Sequence, residues 1–310
     1  MTSPPPCASS RTPPTWRATC SASGPTSGGG ATTDGRRLII NADDFGYTAG
    51  VTQGIVEAHR AGAISSATLL ANMPALADAV RAVHDGSAAL GVGVHLNLVQ
   101  GRPLTRVPSL TNKRTGEFHR LPALVARALA GRIDPDEVGA ECDAQIAVVR
   151  GAGIAATHVD SHMHTHAVPQ LWPPIAAAAV RAGVHAMRWP AESLHRTPLA
   201  MPRLATNAAV ALSWATVRRE APALRYPDHF IGMSLQGGRD VERKLVRALD
   251  RLEPGITELM VHPGHPDAML ASMDTYTWQR ESELAALTSP AVLDRLRRGD
   301  IELVDFRALR

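Results

Sequence analysis

Four histidines and one aspartate lie between His158 and His166, in the stretch HVDSHMHTH. Imidazole is the commonest metal ligand and titrates near neutrality, so the stretch is either a metal site or an accident of composition. If it is extended, Asp160, His162 and His164 share one face, with His158 further back on it, while Ser161 and Met163 point the other way. A catalytic metal takes two or three such donors and keeps one position open. An acidic pair, Asp43 and Asp44, sits in INADDFG. Adjacent carboxylates cannot both stay charged cheaply unless a cation neutralises one; a metal on one would leave the other as a base. The plainer reading of an aspartate there is a helix N-cap. His95, in the apolar GVGVHLNL, reads by itself as a hydrogen-bonded core histidine, and MVHPGHPD adds His262 and His265.

These residues need elements to bring them together. RLIINADDFG, SSATLLAN, GVGVHLNL, THVDSH, AMRWP, HFIGMS, ITELMVHPG and IELVDFRAL read as strands, and helical stretches separate most of them. The clearest helices in the second half are near residues 198–219 and 240–252. Alternation of this kind predicts an α/β fold with a parallel sheet covered by helices. Seven or eight units in about 275 residues match an irregular TIM-like (β/α) barrel of seven or eight parallel strands, the alternative being an open doubly wound sheet. In either case the active site lies at the carboxyl ends of the strands, where Asp43, Asp44, His95, Asn97, Asp160, His162, His164, His166 and His262 fall. The polar run Val99–Arg120 is a long connection suited to lining that site.

Composition narrows the class. The chain has 310 residues, net charge +3 and no long basic run, which argues against nucleic-acid binding. Cys7, Cys20 and Cys142 form no CxxC pair, so structural disulfides and cysteine-held zinc are not expected. No apolar run reaches a membrane span and no secretory h-region opens the chain, so a cytoplasmic location is expected. Residues 1–35 are rich in Pro, Ser, Thr and Gly and are expected to be a disordered tail, leaving 36–310 as one domain.

INADDFG, GVHLNL, HVDSHMHTH and MVHPGHPD, in this order, resemble the YdjC-like carbohydrate deacetylases, which include chito-oligosaccharide deacetylases and a hopanoid-biosynthesis-associated branch. The resemblance runs from about Arg37 to the C-terminus. It implies a divalent metal, Mg2+ or Zn2+, held by Asp44, His95 and His162. It also implies Asp43 as general base, His262 as a second catalytic group near the leaving nitrogen, an N-acetylated sugar or glycolipid as substrate, and a homodimer. Asn97, His164 and Arg280 are candidates for substrate contacts, with Trp189, Tyr276 and Trp278 as further candidates by position. Arg280 and Glu283 could instead hold Asp43 or the histidine in place, although an Arg–Glu pair three apart on a helix is commonly a surface ion pair. The competing readings are a phosphoesterase or amidohydrolase of another substrate class, a non-catalytic sugar-binding protein, and a non-haem iron oxygenase. The last needs a His-x-Asp/Glu spacing that does not join the proposed ligands.

Overall fold

The computed structural model describes residues 35–86, 89–192, 208, 210–213, 221–237 and 240–309. The proposed tail up to Asp34 and nearly all of the helix expected at 198–219 lie outside them.

The chain alternates as the sequence pattern requires. β1 (Arg36–Phe45), β2 (Ser66–Leu69), β3 (Gly91–Leu96), β4 (Val159–Ser161), β5 (His229–Ile231) and β6 (Gly255–Val261) form a parallel sheet in the order β4-β3-β2-β1-β6-β5. β1 pairs with β6 from Arg36 to Ala42 along one edge. On its other edge it meets the two-residue strand β7 (Glu302–Leu303) at Arg37–Leu38 and then β2 from Asn41 onward. Single bridges from Val159 to Met187 and from Ala186 to Arg225 carry the sheet beyond β4. The sheet curls into a half-barrel of six principal strands. The expectation of a barrel with seven or eight strands is corrected to this extent: AMRWP contributes two isolated bridge positions, Ala186 and Met187, rather than a ladder, and IELVDFRAL contributes only the short side strand β7.

Leu38, Ile39, Ile40, Ala42 and Phe45 are all fully buried, as befits a central parallel strand covered on both faces. The helices are α1 (Ala49–Arg60), α2 (Leu76–His84), α3 (Leu121–Leu129), α4 (Pro135–Gly151), α5 (Trp172–Arg181), α6 (Val241–Asp250), α7 (Ala268–Met273), α8 (Trp278–Leu287) and α9 (Pro290–Leu296). Thr48 caps α1 by accepting from the Val51 N–H. Asp267 caps α7 through the Leu270 N–H and also takes the Gly50 N–H of α1 at 2.9 Å, so one carboxylate joins two helix starts beside the site.

Two close approaches fix the walls. A Cβ on Gly54 would stand 2.5 Å from Gly264 Cα, so α1 lies directly on the loop that follows β6. The connection after β3 is tied down by α4. Buried Glu141 accepts from Leu104 N, Thr105 N and Thr105 Oγ1, and Gln145 bonds both the N–H and the carbonyl of Asn97 at 2.8 Å. Among the described residues, no helix is long and apolar enough to cross a membrane.

Candidate metal centre and active site

Asp43 and Asp44 share a β-bulge. Ala42 pairs with Ala67 and Phe45 with Leu69, three steps against two, and the extra residue breaks the strict alternation of the strand. Asp44 sits at φ 69°, a left-handed conformation that costs a non-glycine residue about 1–3 kcal/mol and persists where its surroundings hold it. The bulge lets two neighbouring carboxylates enter one site. The Phe45–Gly46 turn follows the bulge.

Donor atoms of Asp44, His95 and His162 all lie within 4.8 Å of one another. Asp44 Oδ1 is 2.8 Å from His162 Nδ1 and 3.3 Å from His95 Nε2. The other face of His95 is fixed: Nδ1 meets Asp160 Oδ1 at 2.6 Å. That contact sets the tautomer and aims Nε2 at Asp44, as a carboxylate behind a metal-binding histidine does. Arg280 holds the second oxygen of Asp44 at 2.6 Å and also contacts Asp274.

The electrostatics fit a cation. Burial opposes charge on Asp44, yet the positive charges of His162 and Arg280 and hydrogen bonds from His162 and His95 hold it well below the usual carboxylate range. Burial lowers the proton affinity of His95, but the charge and hydrogen bond of Asp160, with Asp44 and Asp43, push it up to about 10. Carboxylates on both sides of His95 favour positive charge there, which a divalent ion on Asp44, His95 and His162 would also supply. A second group, Asp43, His95 and Asp160, also lies close enough to bind an ion. Arg188 already occupies that position, its Nη1 2.5 Å from Asp43 and 2.8 Å from Asp160. The group of Asp44, His95 and His162 is therefore the candidate metal site among the described residues.

Arg188 was not singled out from the sequence, where AMRWP reads only as a strand. It is fully buried. Its guanidinium bonds both oxygens of Asp43, at 2.5 and 2.6 Å, and its Nε donates to Glu258 at 2.6 Å. Asn41 Nδ2 adds a further bond to Asp43 at 2.8 Å. Burial alone would raise the Asp43 pKa; Arg188, by charge and hydrogen bonding, then His95 and His262, carry it far below the usual range. Glu258 moves the other way, to about 8, because burial and the charges of Asp160 and Asp43 outweigh Arg188. The signal that could have found Arg188 is an arginine between apolar residues on an inner strand, since a buried guanidinium requires carboxylate partners.

His262 follows β6. Its Nε2 is 3.9 Å from Asp43 Oδ2, and its backbone N–H donates to Glu283 Oε2 at 2.6 Å. Glu283 also accepts from the Tyr276 hydroxyl. Arg280 and Glu283 are therefore both buried beside the site: the arginine holds Asp44 rather than Asp43, and the glutamate holds the histidine.

The remaining candidates separate. The strand carrying Asp160 stops at Ser161. A 3-10 turn follows, with Met163 and His164 both in left-handed backbone. The face assumed for Asp160, His162 and His164 therefore does not extend past Ser161. His164 packs edge-on against His166 and Phe230, with a buried, unpartnered Nδ1. His166 is fixed inward by Ser161 Oγ at 2.5 Å, and His158 stacks on Phe306 with centroids 3.5 Å apart. Asn97 is fully buried; its amide bonds Asn72, Val99 and Gln100. Trp189 is buried against Trp172 and His166, whereas Trp278 is exposed.

Fold and site together define a parallel α/β protein with a candidate metal centre at the carboxyl ends of its strands, flanked by one arginine-bound carboxylate, Asp43, and one histidine, His262. Residues 37–298 match the model of the YdjC-like protein family, and the chain belongs to that family. The carbohydrate deacetylase of Geobacillus stearothermophilus is 36% identical over 273 residues, which is 88% of this chain and 97% of that protein. The carbohydrate deacetylase of Brevibacillus brevis is 33% identical over 279 residues, 88% of this chain and 99% of that protein. A crystal structure from Enterococcus faecalis V583, of a protein proposed to act in cellobiose-phosphate cleavage, superposes with TM-score 0.71 at 28% identity. It covers 88% of this chain and 98% of that one.

Proposed function

We propose that the protein is a metal-dependent carbohydrate deacetylase that hydrolyses the acetamido group of an N-acetylated sugar. The observation that carries this reading is the convergence of Asp44, His95 and His162 beside Asp43 and His262. Deacetylase activity is the reading that its relatives' names support. Two imidazoles and one carboxylate suit Zn2+ better by ligand type, while Mg2+ prefers an all-oxygen shell. Either ion, when bound, lowers the pKa of a water toward neutrality and polarises the acetyl carbonyl.

The chain's own groups do the rest. Asp43, held anionic by Arg188, aligns the attacking water and takes its proton as the oxygen bonds to the carbonyl carbon. A carboxylate with so little proton affinity is a weak base, so the water it serves must itself be acidic, which is the chemical reason for a cation here. His262 in its protonated form gives the Nε2 proton to nitrogen as the C–N bond breaks, releasing acetate and a free amino sugar. Asp160 and Arg280 keep His95 and Asp44 aimed.

The test is acetate release from a panel of N-acetylated sugars, with phosphate release from phosphorylated sugars measured alongside. Acetate release that Asp43→Asn abolishes, with metal content nearly unchanged, supports the reading. Phosphate release without acetate, or full activity in Asp43→Asn, contradicts it.

A further inference from the structure

His262 has a neighbour that no motif contains. Gln236, half-buried in the turn after β5, places its side-chain Nε2 3.5 Å from His262 Nε2, the nitrogen that faces the site. The turn is anchored on both sides of Gln236. Glu192 accepts from Gly232 N, Ser234 N and Ser234 Oγ, and the Gly237 N–H donates to the Tyr276 hydroxyl at 2.8 Å. Tyr276 in turn donates to Glu283, the carboxylate that holds the His262 backbone, and its ring lies 5.7 Å from the His262 ring. Gln236 and His262 are thus two ends of one closed circuit through Gly237, Tyr276 and Glu283.

We propose that Gln236 is a positioning residue that keeps the His262 ring turned toward the site in both of its protonation states until the leaving nitrogen claims Nε2. The proposal rests on the deacetylase reading. A carboxamide carries a donor and an acceptor on one planar carbon. Its N–H serves a neutral His262 whose Nε2 holds a lone pair; after rotation its oxygen serves the protonated ring, and gives way when the leaving nitrogen displaces it as acceptor of that proton. When the Nε2 proton moves to nitrogen and the C–N bond breaks, the neutral imidazole finds the N–H again. A carboxylate in the same place would serve only the charged ring, and an alkyl group neither.

The test compares wild-type protein, Gln236→Leu and Gln236→Glu by kcat and KM for acetate release across pH, with metal content and Tm measured on each. Gln236→Leu is expected to lose about tenfold to a hundredfold in kcat with KM little changed. Gln236→Glu is expected to move the basic limb of kcat/KM upward by roughly one pH unit, because a carboxylate favours the protonated ring. Wild-type rates and pH profile in both variants overturn the proposal. If the wild-type protein releases acetate from no sugar, the deacetylase reading falls by itself. The contact is then judged by the 15N shift of His262 Nε2: a difference between wild type and Gln236→Leu upholds it, and identical shifts overturn it.

Discussion

Arg188 grips both carboxylate oxygens of Asp43 and reaches Asp160, the residue that orients His95. One guanidinium thereby sets the geometry of the proposed base and of one proposed ligand. Arg188→Met leaves the buried carboxylates of Asp43 and Asp160 without their countercharge and is expected to cost about 3–5 kcal/mol of stability, read as a lowered denaturant midpoint. Arg188→Lys keeps a charge but loses the planar fork. It is expected to fold while kcat falls about 10–100-fold; unchanged kcat would show that the bidentate grip is not needed.

Asp160 acts through His95. Asp160→Asn is expected to weaken metal binding about 10–100-fold, since removing a carboxylate behind a histidine ligand has effects of that size. Competition against a chromophoric chelator measures this directly, and equal affinity in the variant argues against His95 as a ligand.

Gly54 tests the packing that places His262. The Cβ of Gly54→Ala would meet the Gly264 backbone at 2.5 Å, forcing the loop after β6 away from α1 at a cost of about 1–3 kcal/mol. Turnover should fall while metal content stays at the wild-type level. Loss of both, or of neither, would mean that the loop position is set elsewhere.

The chain should lose stability in mild acid. Burial, followed by the charge of Arg188, takes His166 down to about 3 and His158 well below its ordinary value. Both titrate near 6.5 when unfolded, so below that pH the unfolded chain binds protons that the native state refuses. The contribution of these two histidines is complete above about pH 6.5 and falls as pH drops toward the native values, by up to about 1.4 kcal/mol per pH unit for each histidine. Denaturant midpoints between pH 7.5 and 5 measure the slope, and His158→Leu should flatten it by about one proton.

Much of this site was legible because parallel α/β architecture puts strand ends together. Asp43, Asp44, His95, Asp160, His162 and His262 could each be assigned to a strand end from local pattern alone. What was not legible depends on pairing between distant segments. The bulge at Asp43–Asp44 exists only against β2. The left-handed turn at Met163 and His164 ends a strand that alternation would have continued. Asn97 was a candidate substrate contact, and its side-chain hydrogen bonds go to its own loop and to Asn72 in the connection after β2. Arg188 and Gln236 carried no motif, and their meaning comes from carboxylates and an imidazole many residues away.

The central claim is tested most directly by stripping the protein of divalent ions with a chelator and returning Zn2+ or Mg2+ in measured amounts while acetate release from an N-acetylated sugar is followed. The account predicts no release from the stripped protein. Recovery should saturate at one ion per chain in the wild type and be absent when His162 is replaced by alanine. Undiminished release after complete removal of metal, or equal recovery in His162→Ala, would contradict it.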